Sequence, residues 1–117
     1  MARKAHEGFP KGYRVSRSSD YQRIYDSGRK VHSGSFVLFG LANSMEHHRL
    51  GVTVSRRIGN AVVRNRVKRR FREIFRRSCD NIPHHFDFVV NAKRHCATVS
   101  FHALSAEFQA AMHRMGE

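Results

Sequence analysis

The chain has no tryptophan, only two prolines and two cysteines, and nine acidic residues against 22 lysines and arginines. No apolar run approaches the ~20 residues of a membrane span. The basic N-terminus MARKAHEGFPKGYRVSRSS has no apolar core of the kind a secretory signal needs. A basic amphipathic helix lying on lipid is disfavoured too, since the chain lacks the tryptophan anchor such helices use. Cys79 and Cys96 allow one disulfide at most, and without an export signal they read as reduced thiols of a cytoplasmic protein. The acids are scattered, so neither a general acid–base pair nor a two-metal carboxylate site can be read from their spacing. Cys79, His84, His85, His95 and Cys96 match no zinc-site interval.

What the chain has in excess is positive charge. Its formal net charge is +13 over 117 residues, and 17 of the 22 cations are arginine. Such a field favours a polyanion. Arginine's planar fork pairs phosphate and stacks on bases, which leans toward nucleic acid. The charge is also local. Residues 49–77 hold eleven cations and one acid, Glu73, so 29 residues carry +10 and the remaining 88 carry +3.

At 117 residues the chain reads as one domain with a real core, preceded over 1–16 by a basic, poorly ordered arm. Ser18 or Ser19 is placed to cap a short helix with Tyr21, Ile24 and Tyr25 on one face and Gly28 as its stop. Residues 35–41 and 49–55 read as strands joined by a hairpin-sized link, and 86–92 as a third strand. Between them runs a strong helix, 61–77. Ser100 then caps a last helix with Phe101, Leu104, Phe108 and Met112 on one face. The α-β-β-α-β-α order predicts an α/β sandwich.

On the central helix, Val63, Val67, Phe71, Ile74 and Phe75 fall in a wedge about 120° wide that must pack on the sheet. Asn65, Lys68, Arg69, Arg72 and Arg76 occupy the neighbouring arc, with Arg66, Arg70 and Arg77 on the far flank. Like charges crowded on one helix repel, and a polyanion relieves that repulsion. Arg56, Arg57 and Asn60 stand just before the helix N-terminus, where free amides and the dipole favour anions.

These residues carry a family resemblance. The run Gly59 to Arg72, with the pattern G-N-A-V-x-R-N-x-x-K-R-x-x-R, resembles the signature RNR helix of the bacterial ribonuclease P protein component. Asp20–Tyr25, Phe36–Phe39, Arg49–Asn60 and Asp87–Lys93 match further segments of that family, so the resemblance spans nearly the whole chain. It implies a two-layer α+β sandwich whose signature helix sits in a left-handed βαβ crossover. It implies an accessory subunit with no catalytic residues of its own. The catalytic RNA, which requires Mg²⁺, would remove the 5′ leader of precursor tRNA, and the protein alone would bind no cofactor. The family's helix positions transfer to Arg64, Asn65, Lys68, Arg69 and Arg72, joined here by Arg56, Arg57, Asn60 and Arg66. Its leader cleft transfers to Tyr21, Tyr25, Val37 and Phe39. Tyr21 and Tyr25 stand where many members have phenylalanine, which keeps the stacking surface and adds a hydroxyl. Two other readings stay open on residues alone: a general RNA-binding protein of ribosomal type, and a self-contained nuclease built on His47, His48, His84 and His85.

Overall fold

The structure, a computed structural model, describes residues 11–78 and 84–116. In chain order it contains α1 (Ser18–Ser27), β1 (Arg29–His32), β2 (Phe36–Ala42), β3 (Arg49–Thr53), α2 (Ala61–Ser78), β4 (Phe86–Ala92) and α3 (Phe101–Gly116). Short 3₁₀ turns occupy Lys11–Tyr13, Arg56–Ile58 and Arg94–Ala97.

The expected helices and three expected strands are present, and β1 is an addition. Only Val31 of its four residues is buried, so it carries no hydrophobic alternation for a sequence reading to detect. Its exposed Arg29 and Lys30 suit an edge strand, where charge discourages further pairing.

The sheet order is β1-β2-β4-β3, with β3 and β4 parallel and the other neighbours antiparallel. β2 and β3 therefore do not form the hairpin their short link suggested, because β4 lies between them. The reason is burial: Asp87, Phe88, Val89 and Val90 are all buried, so β4 needs cover on both faces and neighbours on both edges.

The hand of the β3–α2–β4 crossover follows from the hydrogen bonds. Lys93 N–H donates to Ser35 O at 2.8 Å and Asn43 N–H to His85 O at 3.0 Å, so odd-numbered residues along β4 aim their backbone groups at β2. Even-numbered residues aim theirs at β3, while Phe88 and Val90 send their side chains into the core with α2. Seen from α2 with β4 running upward, an L-residue whose side chain faces the viewer has its N–H and C=O on the right. β3 thus lies right of β4, and the path from β3 over α2 to β4 moves left. The crossover has the rare left hand.

α2 and α3 cover one sheet face. Val67, Phe71, Ile74 and Phe75 of α2 and Leu104, Phe108 and Met112 of α3 are buried with Phe36, Leu38, Leu50, Phe88 and Val90. Phe36 meets the edge of Phe71 at 5.5 Å between ring centres, and truncating either to alanine costs about 3–5 kcal/mol. Ser100 caps α3 as expected, its Oγ accepting the Ala103 N–H at 3.0 Å.

α1 covers part of the other face, where Ile24 packs on Val89 and Val15. Its cap differs from expectation. Ser18 is already helical and Arg17 stands at the cap position with no side-chain bond, its carbonyl accepting the Asp20 and Tyr21 amides. The part of the expected arm that is described, residues 11–16, is ordered. Val15 is buried and its N–H donates to Leu50 O at 3.0 Å, so residues 11–16 dock beside β3. Residues 1–10 lie outside the described residues.

Candidate nucleic-acid interface

The first half of the site is the outer surface of α2. Its apolar wedge is buried as the periodicity predicted, with Val63 packed partly against the core. Asn60 starts the helix: its Oδ1 accepts the Val63 N–H at 3.0 Å. A side chain on Gly59 would place its Cβ 2.9 Å from Val63, so the approach to the helix is too close for any residue but glycine. One of the amides open to an anion is thereby taken by Asn60, which moves its role from ligand contact toward helix cap.

The cations divide into two groups. Arg56, Arg57 and Arg69 are exposed and Lys68 and Arg72 half-buried, and none of the five makes an ion pair among the described residues. Asn65 is exposed beside them. The others turn back on the protein. Arg64 donates to Gly59 O at 2.8 Å, Arg66 to Ala97 O at 3.2 Å and Arg70 to Val99 O at 2.9 Å. Glu73 pairs with Arg76 and Arg77 at 2.6 and 2.7 Å, and the Arg76 hydrogen bond holds its carboxyl below the usual range. Arg64 and Arg66, both expected among the RNA contacts, thus each direct one guanidinium nitrogen to a backbone carbonyl, Arg66 to the segment after β4.

The second half is the face of the sheet beside α1. Three cross-strand rows lie on it. Leu41, Asp87 and Arg49 form the first, and Lys30, Phe39, Val89 and Gly51 the second. α1 covers most of these two. The third row, His32, Val37, Asn91 and Thr53, is exposed or half-exposed. Tyr25 closes its border: its hydroxyl donates to Asn91 Oδ1 at 2.8 Å and its ring meets the Phe39 edge at 4.9 Å. Lys30 Nζ lies over the Phe39 ring, 5.6 Å from its centre. Tyr21, Tyr25, Val37 and Phe39 thus share one surface, each half-buried, which leaves apolar ring area open to a stacking partner.

Tyr21 joins the two halves. Its hydroxyl sits over Gly51, where a Cβ would come within 2.5 Å of the oxygen. Burial raises the Tyr21 phenol, with neighbouring Tyr25 adding to the rise and Arg72 opposing it. Arg72, reaching this edge from α2, is in turn lowered by burial and by the nearby Arg14 charge.

Beneath the site Asp87, 1% exposed, accepts Arg49 Nε at 2.9 Å, Arg49 NH2 at 2.7 Å and Asn43 Nδ2 at 2.8 Å. Arg23 of α1 reaches the same carboxylate at 3.4 Å and Asp20 at 3.3 Å. Burial pushes the Asp87 carboxyl up, but the Arg49 and Asn43 hydrogen bonds and the Arg49 and Arg23 charges outweigh it and hold it below the ordinary value. This network, which no sequence spacing announces, fastens α1 to the sheet.

Several of the described acids are already engaged. Asp20 and Asp87 face arginines, Glu73 is paired, and Glu107 is bound by Ser33 and Ser35. Among the described residues no three His, Cys, Asp or Glu side chains group as metal ligands, and Cys79 lies outside them. Burial pushes the Cys96 thiol up to about 12, and it donates to Ser35 O. Two histidine pairs distant in sequence do meet: His48 and His85 rings are 5.1 Å apart. His48 is buried, however, with Nδ1 accepting the Phe86 N–H at 2.9 Å, and His47 is stacked on Tyr13 at 4.3 Å.

Fold and site together define a small, strongly basic α+β protein that turns an acid-poor cationic helix outward from a left-handed crossover. Comparison with known proteins gives the class its family. The ribonuclease P family profile matches residues 9–116. The chain is 44% identical over 85 residues to the ribonuclease P protein component of Macrococcus caseolyticus, covering 72% of this chain and 73% of that one. It is 36% identical over 91 residues to the Streptococcus pneumoniae component, covering 78% and 74%. Among solved structures, the Staphylococcus aureus RNase P protein superposes with a TM-score of 0.81 at 31% identity, covering 92% of this chain and 100% of that one. The Thermotoga maritima RNase P protein also gives 0.81 at 31% identity, covering 89% and 98%. The chain belongs to the ribonuclease P protein component family. Membership implies an RNA partner in a ribonucleoprotein and association with an endoribonuclease complex.

Proposed function

We propose that this protein binds the catalytic RNA of ribonuclease P through the outer face of α2, and the 5′ leader of precursor tRNA across the open sheet row beside Tyr21 and Tyr25. In this role it assists removal of the leader, and the RNA with its Mg²⁺ ions does the chemistry. The observation that carries the reading is the pairing pattern on α2: the helix's one acid sits near its C-terminal end with Arg76 and Arg77, and Lys68, Arg69 and Arg72 are left without a counterion among the described residues. Phosphates supply the missing charge, and each one neutralised contributes to a steep salt dependence.

The leader reading rests on the sheet. A single strand binds where aromatic faces line a cationic groove, at about 1–3 kcal/mol per stacked base. Tyr21, Tyr25 and Phe39 supply the faces, Lys30 and Arg72 the charge at either side. In this reading the protein is a binder and positioner acting in the cytoplasm; burial of His48 and the stacking of His47 on Tyr13 support it over a histidine nuclease. The experiment is precursor tRNA cleavage at low Mg²⁺ by bacterial ribonuclease P RNA, with and without the protein. Cleavage at the mature 5′ end that needs the RNA and is enhanced by the protein is expected. No enhancement of rate or binding would favour a general RNA-binding role, and cleavage by the protein alone would overturn the reading.

A further inference from the structure

Glu107 is the one acid of α3, away from the cationic face of α2, and both of its oxygens are bonded. Its Oε1 accepts the Ser33 hydroxyl and the Ser35 N–H, the latter at 3.0 Å, and its Oε2 accepts the Ser35 hydroxyl at 2.7 Å. Ser33 and Ser35 form the turn between β1 and β2, and Ser35 is fully buried. That turn then holds the segment after β4. Ser33 O accepts Lys93 Nζ at 2.6 Å, and Ser35 O accepts both the Lys93 N–H and the Cys96 thiol at 2.8 Å.

From its other side the same segment is held by α2, through Arg66 on Ala97 O and Arg70 on Val99 O. It also packs against the Arg56–Ile58 turn that leads into α2. A chain of hydrogen bonds therefore runs from Glu107 through the serine turn and residues 93–99 to the flank of α2, and packing alone carries it on to the turn that enters α2. Nothing in the fold of α3 alone requires an acid there, since its buried face is Leu104, Phe108, Ala111, Met112 and Met115.

We infer that Glu107 is a positioning residue for the RNA-facing helix: it fixes the serine turn, which fixes residues 93–99, which hold Arg66, Arg70 and the Arg56–Arg57 turn in register with the outward cations. The inference rests on the proposed RNA-binding role. Its sign sets it apart from simple electrostatics. Removing an acid from a protein of net charge +13 raises its positive charge and by charge alone should tighten RNA binding. Removing this acid should weaken it.

The test compares Glu107→Gln with Glu46→Gln, which deletes the same charge from an exposed loop residue. Affinity for bacterial ribonuclease P RNA is measured at several salt concentrations, with circular dichroism confirming that each variant is folded at the assay temperature. Ser33→Ala, which removes one donor to Glu107 and no charge, serves as the milder variant and decides the matter should Glu107→Gln fail to fold. Glu46→Gln should bind as tightly as wild type or slightly better. Glu107→Gln should lose about 2- to 30-fold, the range for residues acting through their neighbours, and Ser33→Ala should lose less in the same direction. Folded Glu107→Gln binding as well as Glu46→Gln, or Ser33→Ala matching wild type where Glu107→Gln does not fold, overturns the inference. A wild-type protein with no salt-dependent RNA affinity would instead sink the proposed function itself.

Discussion

Replacing Asp87 with asparagine keeps the shape of the side chain and removes its charge. In the native protein that carboxylate is 1% exposed and takes both nitrogens of the Arg49 fork, together with Asn43 and Arg23. Breaking a buried pair by deleting one partner costs about 3–5 kcal/mol, because the surviving charge is left uncompensated. Two features reduce this. The Arg49 side chain is 17% exposed, and Asp20 lies 3.7 Å from it and takes over part of the interaction. The expected loss is therefore about 2–4 kcal/mol, or roughly 8–16 °C in melting temperature for a domain of this size. The pH dependence gives a second constraint. Asp87 is held below its ordinary value, so its contribution is complete above about pH 5, about a unit over the unfolded carboxyl, and vanishes only as pH falls through its own lower pKa. Urea unfolding of both proteins from pH 3 to 8 should show a constant gap above about pH 5 that closes in acid. A gap under about 0.5 kcal/mol at pH 7, the scatter of ordinary surface substitutions, or one that widens in acid, would refute the assignment.

Three further outcomes are expected. Gly51→Ala drives a methyl into the Tyr21 hydroxyl and should destabilise by about 1–3 kcal/mol, read by thermal melting; an unchanged melting temperature would show that Tyr21 does not sit over Gly51. Tyr21→Ala should weaken binding of precursor tRNA to the assembled enzyme more than binding of mature tRNA, and equal weakening of both would make Tyr21 a packing residue only. Cys96, with its thiol pushed up to about 12 by burial, should resist alkylation at pH 8 in the folded protein and react promptly in denaturant. Prompt native-state reaction of that residue, located by mass spectrometry, would contradict its burial.

The strongly periodic parts of the fold were legible in the chain. The wedge of Val67, Phe71, Ile74 and Phe75 is visible because a half-buried helix must repeat its apolar residues, and β4 because a central strand must be apolar on both faces. β1 was invisible because an edge strand with one buried residue leaves no pattern. Sheet order and crossover hand are non-local, and only the family resemblance supplied the latter. At the site, the outward arc of Lys68, Arg69 and Arg72 followed from helix geometry. The roles of Arg66 and Arg70 did not, since a latch to a carbonyl about 30 residues away has no local signature. The Asp87 network was hidden for the same reason: its members come from α1, β3, β4 and the loop after β2.

If the outward cations of α2 meet RNA phosphates, binding must weaken steeply as salt rises. Affinity for bacterial ribonuclease P RNA should fall with log salt at about −0.7 to −0.9 per phosphate neutralised. Changing Lys68, Arg69 and Arg72 together to alanine should make that slope shallower by about 2–3, with the protein still folded. A slope identical to wild type would contradict the account.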